Sequence, residues 1–191
     1  MTNNTGNGPI LTHGSQQKSV KLAKMGMLAA ISVVLVYMVH FPIFPAVPFL
    51  EYDPADIAIL IGTFAFGPLA GLGLVFVAAI IQGVTVSAQS GIYGIIMHIL
   101  ATGSFVLVTG ILYKRGKSRK SAVIALACGT LTMTVVMGVA NLIVTTIFMG
   151  TTVDVVKALM PYILGFNLIK AGINSVVTFL LYKRISRFLH K

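Results

Sequence analysis

Long apolar stretches dominate the chain, and short basic clusters separate them. No Asp, Glu, Lys or Arg occurs from residue 57 to 113 or from 121 to 153, and Lys170 is the one such residue between 158 and 182. An α-helix needs roughly 20 apolar residues to cross the ~30 Å hydrocarbon core of a bilayer. Because the stretches do not alternate apolar and polar residues, they predict membrane-spanning helices rather than the strands of a barrel.

The basic clusters set the number of helices. They cover Lys18–Lys24, Lys114–Lys120 and Lys183–Lys191, and the positive-inside rule places all three in the cytoplasm. Gly67-Pro68 and residues 87–91 divide the long uncharged stretch into three helices, the first short enough to be tilted or to begin below the membrane surface. The sequence thus predicts an all-α integral membrane protein with both termini cytoplasmic and six transmembrane helices, at about 22–39, 55–66, 68–86, 92–113, 121–148 and 161–186.

Composition and charge narrow the class of protein. Apolar residues make up 57% of the chain and charged residues 9%, whereas a soluble domain carries about 25% charged residues. The net charge of +10 lies mainly in clusters that flank apolar stretches, which is typical of membrane topology signals rather than of a nucleic-acid surface. Residues 1–17 are polar and rich in Gly and Asn, so we expect a disordered cytoplasmic tail ahead of a six-helix membrane domain at 18–191.

Motifs of enzymes are missing from the chain. Gly116-Lys117-Ser118 resembles the end of a phosphate-binding loop, but Ile111 stands where that motif requires glycine. The four histidines are scattered rather than clustered as metal ligands would be. The sequence therefore predicts neither an ATPase nor another enzyme, and no metal or cofactor.

The segment His40–Pro54, here called the proline loop, follows the first predicted helix. Pro42, Pro45 and Pro48 recur every third residue, the period of a polyproline II helix, so we expect a stiff and extended segment. Its apolar side chains suit either an interfacial aromatic belt or a lid over a pocket. Asp53 precedes Pro54 at the start of the second helix, where a capping role is favoured over ligand contact.

Polar residues line one face of the last predicted helix. Asn167, Lys170 and Asn174 are spaced i, i+3 and i+7. Lys170 lies about 13 Å below the outer end of the helix, at 1.5 Å per residue, and no carboxylate is expected in a neighbouring helix. Such a group normally faces a cavity or a partner, and Asn141 could join the same cavity. The alternative is hydrogen bonding between helices. For His98, a bonded interior role is favoured over a pocket role. Gln82, near the turn between the third and fourth helices, faces either the pocket or water.

Gly26 and Ala30 form a small-xxx-small pair in the first helix. Such a pair allows another helix to approach closely, either within the bundle or in a partner subunit.

Three segments carry a resemblance to a known family. They are the loop Phe44-Pro-x-x-Pro-Phe-Leu-Glu-Tyr-Asp-Pro-x-Asp56, the turn Phe66-Gly-Pro-x-x-Gly71, and Asn167-x-x-Lys170. With them, the chain after its tail resembles the substrate-binding S components of energy-coupling factor (ECF) vitamin transporters, and most of all the riboflavin-specific branch. Gly26-x-x-x-Ala30 stands where that family carries an Ala-x-x-x-Ala pair that docks a partner helix.

The resemblance implies a cell-membrane protein that binds riboflavin as transported ligand and docks onto a transmembrane coupling subunit with two ATPases. It implies a lid wall of Phe44, Phe49, Leu50 and Tyr52 and polar recognition by Asn141, Asn167 and Lys170. Glu51 could accept a hydrogen bond from a ribityl hydroxyl or be a solvated loop acid. Two alternatives remain, namely another vitamin on the same scaffold and a small carrier coupled to protons through Lys170 or His98.

Overall fold

The computed structural model describes residues 13–189, apart from the side chains of residues 13, 14, 183 and 185–189. Six α-helices and two very short strands form this part of the chain, with one 3₁₀ turn at Ala88–Ser90. The all-α class and the six helices that the sequence predicts are confirmed for the described residues. In chain order the elements are α1 His13–Met38, β1 Phe41–Pro42, β2 Glu51–Tyr52, α2 Ala55–Phe66, α3 Pro68–Val84, α4 Gly91–Gly116, α5 Arg119–Met149 and α6 Val153–Leu189.

Four of the helices, α1, α4, α5 and α6, are long and apolar enough to cross a membrane, whereas α2 and α3 are shorter. The start of α2 lies inside the bundle, because the Asn174 side chain, at the middle of α6, donates to the Asp53 carbonyl at 3.2 Å. This position agrees with the expectation that the short second helix begins below the membrane surface. The proline loop therefore enters the bundle at one end, here called the loop end. The opposite end, with the basic α4–α5 turn, is called the basic end.

Two helix boundaries differ from the prediction. Helix α1 begins at His13, so residues 13–17 are helical and do not belong to a disordered tail; residues 1–12 of that predicted tail lie outside the described part. Helix α6 begins at Val153, eight residues before the predicted start at 161, and carries Pro161 inside it. The prediction left out this first part because its two charged residues, Asp154 and Lys157, interrupt the apolar stretch; they form an exposed ion pair at 3.1 Å.

Small residues bring the helices into close contact on the basic side of the cavity described below. A Cβ atom on Gly71 of α3 would overlap the Thr63 and Val106 side chains, and one on Gly129 of α5 would overlap Thr109 and Phe105. Phe105 is fully buried at the centre of this apolar core. The helices are thus tightly packed in this region, as protein interiors generally are. This packed region supports the loop end of the bundle.

The proline loop is compact, contrary to the predicted extended polyproline helix. Phe41 pairs with Tyr52 in a two-residue antiparallel ladder between β1 and β2. Between the strands, the Val47 amide donates to the Phe44 carbonyl and the Leu50 amide to the Val47 carbonyl, each at 3.0 Å. Pro45 and Pro48 follow the first residues of these two turns, the place where proline's fixed φ favours a β-turn. The three-residue proline spacing therefore produces consecutive turns.

Candidate functional site

A cavity lies at the loop end between the proline loop and α3, α4, α5 and α6. One part of about 130 Å³, here called the polar lobe, is lined by apolar residues such as Ala79, Ala101 and Met133 and by many polar ones. This concentration of polar side chains within an apolar bundle is what a buried ligand site requires. The polar residues of the lobe are His40, Glu51, Asp53, Gln82, Ser87, Ser90, His98, Asn167 and Lys170.

The second part of the cavity, about 100 Å³, is here called the aromatic lobe. Tyr93 of α4 and Phe148 of α5 form its wall, with their ring centroids 5.6 Å apart. Both lobes are lined by Leu50, Met97 and Met137, so they are two compartments of one site. Most of the hydrogen-bonding groups lie in the polar lobe, whereas the aromatic lobe combines flat apolar surfaces with a few polar side chains, among them Asn141 and Thr145.

Lys170 has a carboxylate partner in the proline loop, although none was expected in a neighbouring helix. Its Nζ atom lies 2.6 Å from Oδ2 of Asp53, and both side chains are 9% exposed. The prediction failed because Asp53 belongs to the proline loop, which was placed outside the helices but enters the bundle. A buried ammonium pays a large desolvation cost unless a charge and hydrogen bonds compensate it, and Asp53 supplies both.

Asp53 lies one residue before Pro54, the N-cap residue of α2, and accepts from the first amide of the helix, while its other oxygen contacts Lys170. Oδ1 accepts a hydrogen bond at 3.1 Å from the amide of Ala55, the first residue of the helix. Burial would raise the pKa of the Asp53 carboxyl, but the Lys170 ammonium, with His98 and the hydrogen bonds from Lys170 and Ala55, lowers it below its ordinary value. The capping and ion-pair roles therefore fix this carboxylate, ionised, at the cavity wall.

Asn174 joins the proline loop to two helices. Its Oδ1 atom accepts a hydrogen bond from the Tyr52 hydroxyl at 3.1 Å. Its Nδ2 atom donates to the Asp53 carbonyl and, at 3.1 Å, to Oδ2 of Asp56. Asp56, which is fully buried, also accepts from the Thr102 hydroxyl of α4 at 2.7 Å. Asn174 thus fits the helix-bonding alternative, and its network holds the loop against α2, α4 and α6.

The predicted lid residues fall into two groups. Phe49, Leu50 and Glu51 line the cavity, and Glu51 lies 2.9 Å from Nε2 of His40 at the mouth. Phe44 and Tyr52 do not line either lobe, contrary to the predicted wall. Phe44 packs edge-on against Tyr162 of α6, with centroids 5.8 Å apart, because the turn at 44–47 directs it away from the cavity. These two side chains anchor the loop.

The predicted polar residues divide between the two lobes. Asn141 lines the aromatic lobe and Asn167 the polar lobe, the latter beside Lys170. Each asparagine donates to a carbonyl of its own helix, Asn141 to Met137 at 2.7 Å and Asn167 to Ile163 at 2.8 Å. Neither of these bonds joins two helices, so the structure does not favour helix–helix bonding as the role of Asn141 or Asn167.

Two further residues line the polar lobe: His98, for which the sequence favours a bonded interior role, and Gln82, for which it leaves pocket and water open. The Nε2 atoms of Gln82 and His98 are buried, and neither has a hydrogen-bond partner within the described part of the chain. Their signal in the sequence is weak, since Gln82 is the one polar side chain of α3 and His98 has no acidic or other basic residue near it in α4. Only the packing of α3 against α4 reveals that both face the same cavity.

Gly26 and Ala30 lie on the outer surface of the bundle. Both are exposed, and a Cβ atom on Gly26 would meet nothing within 4 Å. The neighbouring Leu28 and Ala29 are buried at 3% and 7% exposure. Packing within the bundle therefore does not explain the small pair.

Comparison with known proteins assigns the family. The family model for the substrate-specific component of ECF transporters matches residues 20–182. The riboflavin transporter RibU of Staphylococcus aureus (strain TCH60) is 32% identical over 150 residues, which cover 75% of this chain and 78% of the relative. The riboflavin transporter FmnP of Bacillus subtilis (strain 168) is 28% identical over 152 residues, covering 75% and 80%.

A solved structure, described as the S component of a bacterial ECF transporter, superimposes with a TM-score of 0.78 and 33% identity, covering 92% of this chain and all of the other. Proteins of this family are substrate-specific components of transporters, and the two relatives named above are riboflavin transporters. This assignment agrees with the absence of enzyme motifs from the sequence. The chain belongs to the family of substrate-specific S components of ECF transporters.

Proposed function

We propose that this chain is the riboflavin-binding S component of an ECF transporter and mediates riboflavin uptake across the cell membrane. The observation that carries the proposal is the two-lobed cavity, with an aromatic lobe beside a polar lobe. Riboflavin has the matching division of surface, because its flat tricycle ends in a dimethylbenzene ring on one side and a polar dione on the other. The two riboflavin-transporting relatives support the same ligand.

The residues divide accordingly. Tyr93 and Phe148 contact the dimethylbenzene end, and Leu50 at the junction of the lobes packs on the face of the tricycle. Aromatic and apolar walls of this kind bind flat rings by dispersion and by removing apolar surface from water. Asn167 and Lys170 supply donors to the polar end, since the Lys170 ammonium has three N–H groups and its bond to Asp53 uses one.

The basic end of the bundle faces the cytoplasm in this proposal. The clusters at Lys18–Lys24 and Lys114–Lys120 both lie at that end, as the positive-inside rule requires. The cavity then opens outward, and riboflavin enters from outside the cell. ATP is hydrolysed by two partner ATPases, because this chain lacks a phosphate-binding loop of its own.

The exposed face of α1 around Gly26 and Ala30 is the proposed docking site for the transmembrane coupling subunit. Side chains this small leave a shallow groove into which a partner helix fits closely. The groove lies toward the basic end, away from the cavity, because Gly26 directly follows the first basic cluster. Docking and ligand binding are therefore separable in the same molecule.

Titration of the purified full chain in nanodiscs tests the ligand. The chain contains no Trp, so the fluorescence of riboflavin itself is the signal, and its quenching should saturate at one ligand per chain. Thiamine and biotin should not compete. Displacement by another vitamin but not by riboflavin would refute the assignment, and riboflavin uptake by vesicles without any ATPase would favour a secondary carrier.

A further inference from the structure

Four side-chain atoms in the described part of the chain are buried without a hydrogen-bond partner. They belong to Ser32, Gln82, His98 and Thr178. Gln82 and His98 line the polar lobe, whereas Ser32 and Thr178 line no part of the cavity. The two unpaired nitrogens therefore share one site, and the two hydroxyls provide natural controls.

An unpaired nitrogen at this depth needs a physical reason. Gln82 is 5% exposed, and burying a polar group without a partner costs free energy that native proteins usually avoid. Other polar residues of the same lobe have partners, Lys170 with Asp53 and Asn167 with Ile163. A ligand that supplies the missing partner would recover the cost only when it is bound.

The backbone holds Gln82 firmly in place. Its carbonyl accepts hydrogen bonds from the amides of Thr85 at 3.2 Å and Ser87 at 2.9 Å, in the turn that ends α3. At the next residue, a Cβ atom on Gly83 would overlap Ile95, so α3 and α4 are in direct contact there. Gln82 on α3 and His98 on α4 are thereby brought to the same wall without a flexible segment between them.

We propose that Gln82 and His98 are specificity-determining residues that recognise the dione edge of the flavin tricycle. This inference rests on the proposed function. With the dimethylbenzene end in the aromatic lobe, the dione at the opposite end of the tricycle extends into the polar lobe. A glutamine amide places an N–H donor beside a C=O acceptor, and the dione's imide presents a C=O beside an N–H, so the two pair through two hydrogen bonds. Nε2 of His98 bonds to the adjoining heteroatom.

The test compares riboflavin with its N3-methyl analogue, in which a methyl group replaces the imide hydrogen. Flavin fluorescence reports binding to the full chain in nanodiscs. In the wild type, the analogue should bind about tenfold more weakly than riboflavin, from the loss of one or two hydrogen bonds. Gln82→Leu and Gln82→Met, which keep a similar volume, should weaken riboflavin by at least about tenfold and bind the two flavins equally. His98→Phe should also weaken riboflavin.

The unfolding temperature of the ligand-free protein separates recognition of the ligand from support of the fold, because the two roles of Gln82 predict opposite changes. Because the Gln82 nitrogen has no hydrogen-bond partner among the described residues, Gln82→Leu should unfold at the same or a higher temperature than the wild type when no ligand is added. Thr178→Val, which removes an unpaired hydroxyl outside the cavity, should leave both affinities unchanged.

The inference is overturned if Gln82→Leu binds riboflavin as tightly as the wild type, or retains the wild-type preference for riboflavin over the N3-methyl analogue. It is also overturned if the substitution lowers the unfolding temperature and abolishes binding together, because Gln82 would then support the fold. Failure of the wild type to bind riboflavin would instead refute the proposed function.

Discussion

The buried ion pair between Lys170 and Asp53 can be dismantled one partner at a time. Lys170→Met removes the cation and leaves the Asp53 side chain, which is 9% exposed, with the Ala55 amide as the remaining donor to its carboxylate. Removing one partner of a buried pair costs about 3–5 kcal/mol in the free energy of unfolding. We therefore expect Lys170→Met to be strongly destabilised.

Neutralising both partners should restore most of that loss. In the double variant Asp53→Asn/Lys170→Met, the asparagine oxygen still accepts from Ala55, and no charge is left buried without a partner. Replacing a buried pair by uncharged groups of similar volume is often close to neutral. The two single variants and the double variant form a cycle whose interaction free energy should amount to about 3 kcal/mol.

Denaturant titration in detergent micelles, followed by thermal unfolding in nanodiscs, measures the cycle. Lys157→Met is the matched control, because it breaks an ion pair in which the side chain of Lys157 is 62% exposed and that of Asp154 is 88% exposed. Loss of this exposed pair should change the stability little. The predicted contribution of the ion pair would be refuted if Lys170→Met were as stable as the wild type. It would also be refuted if the double variant were no more stable than Lys170→Met.

The same double variant separates support of the fold from contact with the ligand. If Lys170 donates to the flavin, the folded double variant should bind riboflavin about tenfold to hundredfold more weakly, since a hydrogen bond from a charged donor contributes about 1.5–3 kcal/mol. Wild-type affinity in that variant would restrict Lys170 to the ion pair.

Three other predictions concern the partner face, acid stability and the proline loop. Ala30→Trp should abolish co-purification with the coupling subunit while riboflavin binding survives, whereas Ala29→Trp, at a buried position, should disrupt the bundle and lose both; intact co-purification of the Ala30 variant would exclude this face. Because the pKa of Asp53 is lowered in the folded protein, its contribution to stability is present above its ordinary pKa and is lost as the pH falls through the lower one. Asp53→Asn should therefore lose less stability than the wild type as the pH falls below the ordinary pKa of an aspartate, and equal acid sensitivity would contradict this. Pro45→Ala with Pro48→Ala should loosen the two turns by about 0.4–1 kcal/mol each and speed riboflavin dissociation in stopped-flow fluorescence more than they slow association, and unchanged dissociation would argue against the loop as a lid.

Much of the helical framework could be predicted from the sequence, because most of the apolar stretches end at a charged cluster, at Gly67-Pro68 or at the polar turn 87–91. The polar face of α6 could also be predicted from the sequence, since Asn167 and Lys170 have helical spacing. The partner of Lys170 was not, because Asp53 is 117 residues away in the chain and reaches it only through the entry of the proline loop into the bundle. Hydropathy describes a residue's own neighbourhood and carries no information on such contacts.

The proline loop shows a second limit. The three-residue spacing of Pro42, Pro45 and Pro48 fits both a polyproline helix and a series of β-turns, because proline's φ is compatible with each. The hydrogen bonds from Val47 to Phe44 and from Leu50 to Val47 select the turns. That choice decides which loop side chains face the cavity, so Phe44 and Tyr52 could not be separated from Phe49 and Leu50 by residue type alone.

The central claim is that one riboflavin occupies the cavity at the loop end. The absorption spectrum of the full chain, purified from cells grown with riboflavin and washed free of unbound flavin, tests it most directly. We predict a yellow protein with the visible absorbance of oxidised flavin at one flavin per chain, and HPLC of the extracted ligand should identify riboflavin. A folded protein that is colourless as purified and remains so after incubation with riboflavin and washing would contradict the claim.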